Sequence, residues 1–363
     1  MKKILVCLAL ALLSAGANAQ ELQWVEASCL NLIGNVFPDT PNPYHRVDTD
    51  RFPVEDEWII KQFHSPSGIA VLFRTDSRRI DVQAFWGFLY EAASTMAISY
   101  RGFDLYIRNA RGQWEYAGST ATRSVKKMQD PDRMPVMCDM DGTMHDCLLY
   151  LPMYSELKSC QIGVEKGARI EALESPFRGK VLFYGSSFTQ GVGTSRSGMT
   201  YPMQWMRMSG VQAASVATSG RAEMQPFIIP ILEAAQADAY VFDVFSNPKA
   251  PVIRERLIPF IDRLVAAHPG RPLIFQRTIF RERRRFDTVM EATEASKAQV
   301  VDSLFAEIRK QPKYRDVYLI TPSAADRHET SIDGTHPDNW GYTIWARSIE
   351  KPLARILKKY GIR

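Results

Sequence analysis

The chain has 363 residues, 45% of them hydrophobic, and its 45 Lys and Arg against 40 Asp and Glu give a formal charge of +5. That length predicts about two domains, and that hydrophobic share is ordinary for globular protein. So mild a positive balance argues against a nucleic-acid binder or a protein held to membranes by charge.

The N-terminus reads as a targeting segment. Lys2 and Lys3 precede an apolar run, Ile4 to Leu13, and Ala17-Asn18-Ala19 is an A-x-A cleavage site, so residues 1–19 are expected to be a cleavable signal peptide. The run is too short to span a bilayer. A soluble periplasmic or secreted protein without stable membrane insertion is expected. Four cysteines follow: Cys29, Cys138, Cys147 and Cys160. An even number in an oxidising compartment predicts disulfides. The Asp141-Gly142 turn signal lies between Cys138 and Cys147, so Cys138–Cys147 and then Cys29–Cys160 are the expected pairs. No C-x-x-C spacing supports a metal site, and none is expected.

Residues 20–165 read as an all-β sandwich. Gly68 to Thr75 is a β run, and Arg79 to Phe85 alternates polar and apolar residues as a half-buried strand does. Asp104 to Arg108 and Trp114 to Tyr116 flank a Gly112 turn, and Cys147 to Leu151 is a further strand. A linker is expected near 163–178. From 178 to 363 short apolar strands alternate with amphipathic helices. The strands are 181–184, 211–216, 240–244, 273–276 and 317–320; the helices are near 200–209, 225–236, 251–268, 287–310 and 340–360. This alternation predicts a parallel sheet covered on both faces, with its site at the carboxyl ends of the strands.

Polar groups recur at those ends. Ser187, in Gly185-Ser186-Ser187, follows the first α/β strand, and His336, in Asp333-Gly334-Thr335-His336-Pro337, follows the last. Serine needs a base, and the base needs a carboxylate to fix its tautomer. Asp333 can accept the imidazole Nδ1–H, leaving Nε2 for serine. Each group alone has a plainer reading. Either serine can cap a helix, a lone loop histidine is usually solvated, and Asp338 or Asn339 can cap the last helix. Gly220, after the second strand, lets a backbone N–H approach a substrate. Asn247, after the third, can donate its amide to a tetrahedral intermediate, or either residue can simply make a turn.

The ordered set Ser187, Gly220, Asn247 and Asp333-x-x-His336 resembles the four blocks of the SGNH (GDSL-like) hydrolases. The resemblance covers roughly 178–360. It implies a three-layer α/β fold with a flavodoxin-like sheet, Ser187 as nucleophile, His336 as base and Asp333 as its orienter. It also implies an oxyanion hole of Gly220, Asn247 and the Ser187 N–H. The choice of Ser187 over Ser186 rests on the family's block alone. The sequence departs from the pattern in reading Gly-Ser-Ser for Gly-Asp-Ser, and Ser246-Asn247-Pro248 for G-x-N-D. Gly102-Phe103-Asp104-Leu105-Tyr106 is similar to the G-x-D-L-Y motif of a jelly-roll-like β domain that precedes certain bacterial SGNH esterases. Thr40 to Arg46 and Leu151 to Tyr154 share that likeness.

The resemblance implies an exported esterase that removes short acyl groups, O-acetyl above all, from carbohydrates without metal or cofactor. Two alternatives stand beside it: a lipase or lysophospholipase of the same family, and a carbohydrate-binding protein on an esterase-like fold. The larger α/β-hydrolase fold is disfavoured, because Thr189 stands where G-x-S-x-G requires glycine. Arg281 and Arg283, in a basic run after the fourth α/β strand, are either solvated or grip a substrate carboxylate such as a uronic acid. Phe85, Trp86, Trp114 and Tyr116 are core or a sugar-stacking face.

Overall fold

A computed structural model describes residues 21–122, 132–323 and 329–362; the expected signal peptide lies outside them. The front half contains β1 (Leu22–Glu26), β2 (Asn31–Ile33), α1 (Glu57–Phe63), β3 (Ala70–Thr75), β4 (Ile80–Phe88) and α2 (Ala97–Arg101). Then come β5 (Gly102–Arg108), β6 (Trp114–Ala121), β7 (Asp132–Met137), β8 (His145–Tyr150), β9 (Glu156–Glu165) and β10 (Ile170–Ala172). Two antiparallel sheets form, in the orders β1-β9-β4-β7 and β10-β3-β8-β5-β6, with β2 also on β3. Alternation along β4 buries Ile80, Val82 and Ala84 against Val71, Phe73, Phe103 and Leu149 of the facing sheet. The sandwich is the one expected. β10 lies within the stretch read as a linker and pairs with β3, and the short helices α1 and α2 were not foreseen.

The cysteine expectation is corrected: Cys29, Cys138, Cys147 and Cys160 are all free thiols. The Asp141-Gly142 turn does not join neighbouring strands. It carries the chain from β7 in one sheet to β8 in the other, so Cys138 and Cys147 are not cross-strand partners. Cys147 faces Phe73 and Ile107 across its own sheet, and Cys160 is buried in the sandwich core while Cys29 is exposed.

The second half alternates as predicted, except that a short helix follows its first strand where a loop was expected: β11 (Arg178–Gly185), α3 (Ser187–Gln190), α4 (Tyr201–Ser209), β12 (Val211–Ser215), α5 (Ile228–Ala234), β13 (Ala239–Asp243) and α6 (Ala250–Ala267). β14 (Leu273–Gln276), α7 (Thr288–Ile308), β15 (Val317–Ile320) and α8 (Asn339–Lys359) complete it. The sheet is wholly parallel in the order β12-β11-β13-β14-β15. The chain leaves β11 for one neighbour and returns to its other side for β13. This makes a switch point at their carboxyl ends, where such sheets hold their sites. Tyr240, Phe242 and Phe275 pack one face against Ile231, Leu257, Phe260 and Phe305 of α5, α6 and α7. Val181, Phe183, Val241 and Ile274 pack the other against Trp205 of α4 and Trp345, Ile349 and Leu353 of α8.

The two halves are not beads on a string. Leu72, Tyr106, Leu148 and Tyr150 of the six-stranded sheet join the α4/α8 core. Val47, Ile59 and Phe63 join the core on the opposite face. The Gly-Phe-Asp-Leu-Tyr run of β5 forms the clasp between them. Buried Asp104 accepts from Arg196 Nη1 at 3.0 Å and from the Gly198 N–H at 2.9 Å, and the Tyr106 hydroxyl accepts from Arg196 at 2.8 Å. Burial raises the Asp104 carboxyl pKa, and the Arg196 guanidinium opposes that shift. The aromatic residues serve this architecture. Trp86 is core, Trp114 stacks on Phe177 with ring centroids 6.1 Å apart, and exposed Tyr116 is covered by the Arg196 guanidinium at 3.8 Å.

Candidate active site

β11 ends in Gly185, and a side chain there would collide with Thr189 Oγ1 and put its Cβ 2.8 Å from Asp243 Cβ. Only glycine allows the strand to turn this tightly into α3 beside β13. Ser186 caps α3, its Oγ accepting the Phe188 N–H at 3.2 Å and donating to Asp243 Oδ2 at 2.7 Å. Fully buried and committed on both sides, Ser186 has no free reactive oxygen. The structure thus supplies a reason to prefer Ser187 that the sequence lacked. Ser187 opens α3, and its Oγ lies 2.9 Å from His336 Nε2.

The base side is local. Asp333 Oδ1 accepts the backbone N–H groups of Thr335 and His336 at 2.9 and 2.7 Å, and Oδ2 lies 2.8 Å from His336 Nδ1. Burial raises the Asp333 pKa, but the hydrogen bonds from His336 and Thr335 outweigh it and hold the carboxyl below its usual range. The imidazole packs edge-on to Phe188 with ring centroids 5.4 Å apart. His336 and Asp333, remote from Ser187 in sequence, therefore stand with it in one relay, Ser187–His336–Asp333.

Gly220 and Asn247 lie at the ends of β12 and β13, on either side of the β11 end that carries Ser187. Gly220 has φ +73° with open space where a side chain would sit, so glycine is there for its backbone freedom. Asn247 Oδ1 accepts the Ala222 N–H at 3.1 Å. That bond orients the amide and leaves Nδ2–H available to donate.

Sequence reasoning missed Asp243. It ends β13 fully buried, and Ser186, Thr189 and Ser246 hydroxyls donate to it at 2.7, 3.2 and 2.5 Å. Burial raises its pKa, while those hydrogen bonds favour the charged form. It ties the Ser187 turn to the Asn247 loop. A buried strand ending in a carboxylate, Tyr240 to Asp243, was the available signal.

Arg281 corrects the substrate-grip expectation. Its side chain is 13% exposed and pairs with Glu294 at 3.3 Å. Nη2 donates to the Ser246 carbonyl at 2.6 Å, which also accepts from Lys297 Nζ at 3.1 Å. Arg281 thus buttresses the Asn247 loop, and its guanidinium also lies over the Phe188 ring, 5.3 Å from the centroid. Arg283 is exposed and pairs with Asp287 at 3.2 Å; its backbone N–H holds the Gly334 carbonyl at 2.9 Å.

Among the described residues, His45, His64 and Glu156 form the one group that could hold a metal ion. The two imidazoles lie face to face, 4.0 Å apart and 7° from parallel, so their in-plane lone pairs do not converge on one ion. His45 Nε2 lies 2.9 Å from Glu156 Oε1 instead.

A serine, histidine and carboxylate relay at a switch point beside an amide and a left-handed glycine defines a serine hydrolase site. The comparisons agree. The GDSL-like lipase/acylhydrolase family matches residues 178–354, and the N-terminal domain family of SGNH-hydrolase-type esterases, named for G-x-D-L-Y, matches 22–170. A Bacteroides ovatus structure described as a GDSL-like lipase is 30% identical, with a TM-score of 0.87 over 93% of this chain and 98% of that one. A salicylyl-acyltransferase from a tetracycline biosynthetic pathway (17%, TM-score 0.72, 94% and 99%) shares the fold. So does a family two carbohydrate esterase from Cellvibrio japonicus (13%, TM-score 0.62, 93% and 99%). No curated protein matches. The chain belongs to the GDSL-like lipase/acylhydrolase family, in the branch with the G-x-D-L-Y front domain, and is a carboxylic ester hydrolase.

Proposed function

We propose that the protein is an exported serine esterase that removes short acyl groups, O-acetyl above all, from carbohydrates. The observation that carries the catalytic part is the continuous relay at 2.9 and 2.8 Å from Ser187 Oγ through His336 to Asp333. Ser187 attacks the ester carbonyl as His336 Nε2 takes its proton. The Ser187 and Gly220 N–H groups and the Asn247 amide hold the oxyanion. His336 then protonates the leaving alcohol oxygen, and the same residue activates water to release the acid.

The substrate reading rests on the surface beside the relay. A groove of about 600 Å³ opens next to Asp333, walled by Thr95 and Met96 of the front domain and by Ser195, Ile332 and Asn339 of the hydrolase domain. Its lining holds two carboxylates, Asp333 and Asp338, and no cation. That favours a neutral polyhydroxylated group over a uronic acid. Of seven large hydrophobic residues exposed among those described, Met96 and Ile332 line it and Trp340 follows Asn339 in sequence. Mixed apolar and hydrogen-bonding walls suit a sugar. Family two carbohydrate esterases share the two-domain fold, and one from Clostridium thermocellum is described in complex with cellohexaose.

The test compares p-nitrophenyl acetate, butyrate and octanoate with acetylated neutral and acidic oligosaccharides. The proposal predicts highest kcat/KM on acetate and on acetylated neutral oligosaccharide. Preference for octanoate would move the protein to the lipase reading.

A further inference from the structure

The oxyanion loop is held largely by the other domain. Gln62, on α1 and 1% exposed, pairs its amide with both backbone groups of Ser219. Its Oε1 accepts the Ser219 N–H at 2.5 Å, and its Nε2 donates to the Ser219 carbonyl at 3.2 Å. The Ser219 N–H also reaches Gln190 Oε1 at 3.2 Å, and Gln190 Nε2 donates to the front-domain Met153 carbonyl at 3.2 Å. Two residues on, Arg221 Nε donates to Asp56 Oδ2 at 2.9 Å. Asp56 is the cap of α1, so the two ends of one short helix grip the residues on either side of Gly220.

Arg46 anchors the base of the same loop. It is fully buried, and its guanidinium donates to four carbonyl oxygens: Ser65 (3.0 Å), Gln62 (2.5 Å), Ser215 (3.3 Å) and Ala217 (3.0 Å). Burial lowers its pKa to about 9. An arginine buried on carbonyls alone is costly. Here it joins the backbone of α1 to the end of β12, just ahead of the loop.

Gly220 itself has nothing within 4 Å of where a Cβ would lie and sits in the left-handed region. Among the described residues its N–H donates to no protein acceptor, so its direction is set by the neighbouring peptides. Oxyanion donors must be held to within about 0.5 Å to act in the transition state. We infer that the front domain is part of the catalytic apparatus, with Gln62 the positioning residue that aims the Gly220 N–H at the oxyanion and Arg46 its anchor. This inference rests on the assignment of Gly220 to the oxyanion hole.

The experiment uses the full chain and the variant Gln62→Met, which keeps the shape and removes both hydrogen bonds to Ser219. On p-nitrophenyl acetate, kcat should fall about tenfold with KM within about twofold, the mark of an interaction made in the transition state. Affinity for phenylboronic acid, whose serine adduct places a tetrahedral oxygen in the oxyanion hole, should fall by the same factor. Arg221→Met, at the exposed end of the clamp, should lower kcat about two- to threefold and keeps the inference testable if Gln62→Met does not fold. A folded Gln62→Met with unchanged kcat, or with a lower kcat and unchanged boronate affinity, would overturn the inference. Ser187→Ala run alongside separates the two readings. If it keeps activity, the catalytic assignment itself fails; if it is inactive and Gln62→Met is normal, only the positioning role fails.

Discussion

The two sides of the active site are built by opposite strategies. The base side is mostly local: Asp333 binds the backbone and ring of His336 within one four-residue turn, steadied from outside by the Arg283 N–H on the Gly334 carbonyl. The oxyanion side is assembled from afar. Asn247 depends on Ala222, on the Asp243 network and on the Ser246 carbonyl gripped by Arg281 and Lys297. Gly220 depends on Gln62, Asp56 and Arg46 of the other domain. A local turn tolerates change elsewhere in the molecule. A donor loop held from another domain inherits every perturbation of the interface, which gives a physical reason for the front domain to be fused to the hydrolase.

That contrast can be broken in order of expected effect. Asp333→Asn should cost about 10²–10⁴-fold in kcat, because the amide no longer selects the tautomer with Nε2 free for Ser187. Its cost in stability should be pH-dependent. The folded Asp333 pKa is depressed, so its contribution is complete above the unfolded value near pH 3.9 and is lost as pH falls through the lower folded value. The Tm difference between wild type and Asp333→Asn should be constant near neutrality and close in acid; a difference that grows in acid would show the wrong sign. Asn247→Ala should lower kcat about 10²–10³-fold with little change in KM, as one oxyanion donor does. A rise in KM alone would make Asn247 a ground-state contact. Gln62→Met, about tenfold, is the smallest of these three, and its size relative to Asn247→Ala measures how much of the donors' work depends on the front domain.

The legibility of the sequence follows the same divide. All five parallel strands and five of the six helices among them were readable, because short apolar runs and amphipathic periods are local signals. Asp333-x-x-His336 was readable for the same reason, since the carboxylate and the imidazole it holds lie three residues apart. The role of Gln62 was not, since its meaning lies in a contact 157 residues away. A buried glutamine beside Ile59 and Phe63 on a short helix gives only a weak polar interruption of an apolar stripe. The arginine run was legible only in part, because charge in sequence does not say which side faces in. Arg281 turns inward to Ser246 while Arg283 stays in solvent. The cysteine pairing misled because a turn signal does not say whether the next strand joins the same sheet.

The most direct test of the account is covalent labelling with an alkyl fluorophosphonate, read by peptide mass spectrometry. Ser187 acts as nucleophile only if His336 can take its proton and Ser186 is held by Asp243. One adduct is expected, on Ser187, absent from Ser187→Ala and strongly slowed in His336→Ala. An adduct on Ser186, or labelling that survives Ser187→Ala, would contradict it.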